Sequence, residues 1–269
     1  MPDNETVLSA IDARGVATVT LNRPSVNNAY NGELIDGLLE TFAGLEREEQ
    51  LRCVVLRGNG RHFQAGADLS FLQDLRTGSA EENFDFSRRT VAAIGALREF
   101  PRPTVALVQG GCFGGGVGIA GACDIAVAAD DAVFALTEVH WGITPAPIIP
   151  LLVDRLGSRA LGRLALTGER FSAAEALRIG LVHEVCPAGE LATAAARIVE
   201  NILLAAPEAV VMTKRLIAES VETPFNPAFR DRITTEAAER RVLAEAAEGL
   251  LAFAEKRAPN WYPKRRENE

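Results

Sequence analysis

Short apolar runs alternate with longer mixed stretches through the first two-thirds of the chain. Val16–Leu21, Cys53–Leu56 and Thr104–Val108 have the length and apolar content of strands. A helix is predicted between the first two, from about Gly32 to Arg47, and another from about Glu82 to Arg98 precedes the third. Asp124–Ala129 and Ala132–Leu136 read as a pair of strands joined by an acidic turn. This alternation is an α/β signature. The pattern changes after about Pro145. Ser172-Ala173-Ala174-Glu175 fits a capping box opening a short helix that ends at Gly180. Leu181–Val185 reads as one more strand. From Glu190 the pattern is helical, with Pro207 opening a helix and Pro224 and Pro227 breaking one. The expectation is an α/β core over residues 1–190 and a helical region over 191–269.

Composition narrows the chemistry. A chain of 269 residues, 48% hydrophobic and 24% charged, can bury a large core as a globular protein. A net charge of −8 argues against sequence-independent binding of nucleic acid, so a phosphate-bearing ligand needs a local basic patch. Cys53, Cys112, Cys123 and Cys186 match no common zinc or redox spacing and read as reduced, buried thiols; no metal site is expected. MPDNETVLSA has neither the basic nor the apolar region of a secretory signal. The apolar stretch Ile143–Val153 is interrupted by three prolines and is too short to span a bilayer. A cytoplasmic enzyme without a membrane partner is the resulting expectation.

The chemistry concentrates in two glycine-containing loops. Gly110–Gly118 (GGCFGGGVG) follows the strand at Thr104–Val108 and runs into a small-residue helix ending near Cys123. Strand, glycine loop and helix start together aim backbone N–H groups at one place, where an anion or a developing oxyanion is stabilised. The second loop, His62–Leu69 (HFQAGADL), follows the strand at Cys53–Leu56, and its small residues let a ligand approach the backbone.

In this order the two loops resemble those of the crotonase superfamily, the enoyl-CoA hydratases and isomerases. LNRPSVNNA at 21–29, CDIAVAADDAVFALTEVHWGITP from Cys123 and AFAEKRAPNW at 252–261 resemble further motifs of that superfamily. The resemblance implies a spiral of repeated ββα units with a helical C-terminal region that forms trimers, often paired as hexamers. It implies a CoA thioester substrate, or an acyl carrier protein thioester, with no cofactor beyond the CoA itself. The thioester carbonyl would be polarised by the N–H groups of Ala65 and Gly115. Glu138 would be the acid/base, its pKa raised by partial burial. His140 and Trp141 would stand near the substrate, His140 sharing the Glu138 side of an extended segment. CoA would lie against Ala65, Ala67 and Leu69, with Arg23 meeting phosphates because Ser25 fills the place of a usual basic residue. Phe253 and Lys256 would reach CoA from a neighbouring subunit.

One departure bears on the reaction. Two-glutamate hydratases carry their first carboxylate two residues after the triple glycine, and here Gly118 stands there. A hydratase working with Glu138 alone is the favoured expectation, supported by a resemblance of GGGVG and the segment from Leu136 to the branch acting on 3-methylglutaconyl-type thioesters. A Δ3,Δ2-enoyl-CoA isomerase using the same glutamate, and a non-catalytic thioester-binding protein, are the alternatives. Gly116–Gly121 is also literally G-x-G-x-x-G, the mark of NAD-dependent oxidoreductases. Its mid-chain position, away from an opening βαβ unit, argues against that reading.

Overall fold

The structure, a computed structural model, describes residues 6–263. Its centre is a six-stranded sheet: β1 (Val7–Ile11), β2 (Val16–Leu21), β3 (Cys53–Gly58), β4 (Thr104–Val108), β6 (Ile125–Ala129) and β9 (Glu184–Cys186), in that spatial order. The β1–β2 hairpin is antiparallel and every other pairing is parallel. A smaller sheet joins β5 (Gly111–Phe113), β7 (Val133–Ala135) and β8 (Phe171–Ser172).

The two sheets are threaded by a repeating unit. A long strand of the large sheet leads to a short one of the small sheet and then to a helix. β4 leads to β5 and α4 (Gly115–Ala122), and β6 leads to β7 and α5 (Ile149–Thr167). β3 leads to a single bridge between Gln64 and Cys112, and then to α2 (Leu69–Thr77). This is the spiral of ββα units expected from the resemblance. It also corrects the strand pair expected at 124–136. β6 and β7 do not pair with each other, because the chain leaves one sheet for the other at Asp130–Ala132.

Alternation along the parallel strands sends side chains to two cores. Val54 and Leu56 face the one filled by α1 (Gly32–Glu46), α3 (Ala80–Arg98), α4 and α5. Cys53 and Val55 face the other, closed by Ala194, Ala195, Val199 and Leu203 of α7 (Leu191–Leu204). The helical stretch from residue 191 therefore begins inside the core. The helices α8 (Pro207–Glu222), α9 (Pro227–Arg240) and α10 (Ala244–Glu255) follow it.

Local signals explain most boundaries. Asn31 caps α1 by accepting from the Leu34 N–H at 3.1 Å, and Ser79 and Glu82 form a reciprocal capping box on α3. Ser172 caps α6 (Ala173–Arg178), but Glu175 turns to Arg178 instead of completing the box. Pro207 opens α8 as expected, and the expected break at Pro224 and Pro227 separates α8 from α9, with Pro227 at the first position of α9, where no N–H is lost. All four cysteines are buried free thiols. No helix of the described residues is long and apolar enough to cross a membrane, and they hold no cluster suited to a metal.

Candidate active site

The two glycine loops lie side by side. The Phe63 N–H donates to the Gln109 carbonyl at 2.8 Å, and the Phe113 N–H to the Gln64 carbonyl at 2.9 Å. The segment at 21–29 anchors both. Asn28, fully buried, donates to the carbonyls of Asn59, His62 and Phe63 and accepts from the Arg23 N–H. Gly66, at φ 88°, lies within 3.4 Å of the Phe113 carbonyl oxygen, measured from where its Cβ would stand. The Gln64 amide brackets it, accepting from its N–H and donating to its carbonyl.

Hydrogen bonding decides which N–H groups face outward. The Ala65 N–H donates to the Asn27 carbonyl at 3.0 Å, so it is not the free donor expected from the sequence. The Asp68 N–H goes to Tyr30. Between them the Ala67 N–H has no acceptor among the described residues. The Gly115 N–H, at the first position of α4, has none either. Gly114 precedes it at φ 51° and donates to the Ala135 carbonyl, which ties the glycine loop to the strand leading into Glu138.

Glu138 opens a 3-10 helix, Glu138–Trp141, and lies over this loop. A Cβ on Gly114 would stand 2.8 Å from Glu138 Oε1, so only glycine leaves room for the carboxylate. Its Oε2 is buried without a hydrogen-bond partner. Burial pushes the pKa above the ordinary carboxylate value, the condition for a proton carrier working nearer neutrality.

A cavity of about 590 Å³ opens here, lined by Tyr30, Ala65, Ala67, Leu69, Glu138, His140 and Trp141, among others. It gathers most of the residues singled out by sequence. His140 arrives differently from expectation, since its segment is helical rather than extended; its Nε2 donates to the Thr167 carbonyl at 2.8 Å. Trp141 is well exposed on the cavity wall.

Four expected residues stand elsewhere. Gly118, a possible substrate contact on the resemblance, is buried and does not line the cavity, and a Cβ there would lie 2.1 Å from Ile148 Cγ2. Arg23 is engaged by the Ala29 carbonyl and by Asp68 at 3.0 Å, which leaves its guanidinium fastening loops rather than reaching for phosphate. Asp68 also caps α2 through Ser70. Phe253 and Lys256 are exposed at the end of α10 and do not line this chain's cavity.

Sequence reasoning missed Tyr30. Its ring packs on Gly115, where a Cβ would stand 2.6 Å from Tyr30 Cε1. The Asn-Ala-Tyr-Asn run gave no sign that this tyrosine enters the site, because the placement depends on the bridge between Tyr30 and Ala67.

The comparisons with known proteins agree with this geometry. Residues 12–264 match the family model described as enoyl-CoA hydratase/isomerase. A putative enoyl-CoA hydratase of Thermus thermophilus is 35% identical, over 91% of this chain and 97% of that protein. Among solved structures, AtuE of Pseudomonas aeruginosa is 38% identical with a TM-score of 0.92, covering 96% of this chain and 100% of its own. An enoyl-CoA hydratase from Shewanella pealeana is 32% identical with a TM-score of 0.92, covering 96% and 97% of the two chains. The two glycine loops, the glutamate laid across them and the whole-chain match to these proteins lead to one assignment: this chain belongs to the enoyl-CoA hydratase/isomerase family of the crotonase superfamily.

Proposed function

We propose that this enzyme adds water to, or removes it from, the 2,3 double bond of an acyl-CoA thioester, with Glu138 as its single acid/base. The observation that carries the reading is the Glu138 carboxyl, buried with an unpartnered oxygen against the start of α4. The thioester oxygen is held by the N–H groups of Ala67 and Gly115, which have no other acceptor. As negative charge moves onto that oxygen, donors already in place stabilise the transition state more than the ground state. CoA runs along the 65–69 loop, and the family needs no further cofactor.

In the hydration direction a water oxygen bonds to C3 while the Glu138 carboxylate takes one of its protons. The double-bond pair moves toward C1 and gives an enolate on the thioester oxygen. Protonated Glu138 then delivers the proton to C2, the carbonyl re-forms, and the carboxylate is regenerated. Dehydration is the reverse.

The closed position at Gly118 favours a second reading, a Δ3,Δ2-isomerase in which Glu138 carries a proton between C4 and C2 and no water reacts. A screen of straight, branched and carboxylated 2-enoyl- and 3-enoyl-CoAs separates the two. Loss of the conjugated-thioester absorbance from 2-enoyl substrates is the expected result. Activity confined to 3-enoyl substrates, with gain of that absorbance, would establish the isomerase instead.

The assembly proposed is a homotrimer, or a hexamer of two trimers, in which Phe253 and Lys256 meet CoA bound to a neighbouring copy. Leu250, Leu251 and Phe253 are 65%, 50% and 86% exposed, an apolar face on α10 suited to burial between copies. Light scattering is expected to give three or six chains per particle; a fully active monomer removes the shared site.

A further inference from the structure

A hydratase has to hold its water as well as take a proton from it. In a two-glutamate site two carboxylates share that task, but here the first position is glycine and its space is filled by Ile148. We propose that Tyr30 is the second group: its hydroxyl and the Glu138 carboxylate fix the reacting water between them. The inference rests on the hydratase reading above.

The placement is specific. Tyr30 and Glu138 flank consecutive residues of the glycine loop, the carboxylate over Gly114 and the phenol ring over Gly115. Both line the cavity at the start of α4, the end carrying the Gly115 N–H. The ring is fixed from behind by Phe86, stacked at 6.2 Å between centroids, and its backbone is fixed by bonds to Gly66 and Asp68. The hydroxyl itself makes no hydrogen bond to any described residue and is not sealed from solvent. The partly buried ring carries this polar tip on the cavity wall, where such a group normally finds a partner, and a water held there supplies one.

The phenol stays neutral throughout. Burial and the nearby Glu138 charge push its pKa up to about 12. A neutral hydroxyl accepts one hydrogen bond from the water while the Glu138 carboxylate accepts the other. That leaves a lone pair of the water oxygen directed at C3. No proton leaves Tyr30 during the reaction, so it is a positioning residue. It differs from a second carboxylate in adding no negative charge near the developing enolate.

The test is Tyr30→Phe, which removes one oxygen and keeps the ring that packs on Gly115 and Phe86. Two rates are measured on each protein: hydration of crotonyl-CoA, and exchange of the C2 protons of butyryl-CoA in D2O. Exchange requires the oxyanion donors and Glu138 but no attacking water. The ratio of hydration to exchange is expected to fall about tenfold or more, carried by kcat rather than KM, the scale of a misplaced reactant. Equal loss of both rates makes Tyr30 a packing residue and overturns the proposal. An unchanged ratio with both rates intact overturns it as well, leaving the hydratase reading in place. A wild-type enzyme that exchanges C2 protons yet hydrates neither crotonyl-CoA nor any other 2-enoyl-CoA overturns the hydratase reading, and the held water with it.

Discussion

Glu138→Gln is expected to lower turnover at least about a hundredfold, the scale of a positioned proton-transfer group, with little change in the binding of a saturated acyl-CoA. The same variant has a second signature in stability. Burial raises the folded-state pKa of Glu138 above its unfolded value. Below the unfolded pKa the carboxyl is neutral in both states and its relative contribution to stability is fully present. As pH rises through the folded pKa, the folded protein has to hold a poorly solvated charge and that contribution is lost. Glutamine carries no such charge. The melting temperature of the variant, relative to wild type, is therefore expected to climb as pH rises above the ordinary glutamate pKa of about 4.3. Near-normal turnover would move the chemistry to another group, and a difference that stays flat with pH would remove the argument for a strained carboxylate.

Gly118→Glu is expected to damage the fold and yield no better hydratase. From the sequence, this substitution restores a missing carboxylate. In the structure the first side-chain carbon would stand 2.1 Å from Ile148 Cγ2 and 2.9 Å from its Cβ. Ile148 is itself buried in the main core, so it has little room to withdraw. Overpacking of this kind costs about 1–3 kcal/mol, and a carboxylate forced into the core adds a burial cost of several more, on the order of 3 kcal/mol. A fall in melting temperature of at least about 5 °C is expected. A soluble variant of wild-type stability with faster hydration of simple 2-enoyl-CoAs would show that position 118 reaches the cavity after all.

Much of this molecule is legible in its sequence, for reasons that differ from place to place. Strands β3 and β4 announce themselves because both their faces are largely buried, which favours runs of apolar residues, and β2 because buried apolar residues alternate with half-buried threonines. The glycine loops are conspicuous because close backbone packing excludes side chains. Strand β1 is harder to see, since much of it is exposed at the sheet edge. Helix α2 contains no fully buried residue, and only Phe71 and Leu75 lean on the core, so its packing stripe is thin. The segment 124–136 misleads because two apolar runs across a short turn look like a hairpin, whereas each finds its partner in a different sheet.

The site divides in the same way. Glu138 is legible because its motif is. The choice between Ala65 and Ala67 as a donor is not, because it depends on the Asn27 carbonyl, nearly forty residues earlier, accepting from Ala65. Arg23 looks like a phosphate ligand until Asp68 is brought beside it. The closing of position 118 depends on Ile148, thirty residues along the chain, and no spacing rule reports that contact.

Helix α4 has a consequence for the order in which the protein acquires its structure. Four of its eight residues are glycine, each costing up to about 1 kcal/mol of helix propensity relative to alanine. A helix this short and this glycine-rich does not persist alone in water. It exists because Gln64, Tyr30, Ile148 and Leu152 close around it at distances that only glycine permits. Those four residues come from three separate stretches of the chain. The helix start at Gly115 therefore arises only as these distant stretches meet, and a folding chain gains its candidate reactive centre through long-range contacts rather than with its first turns.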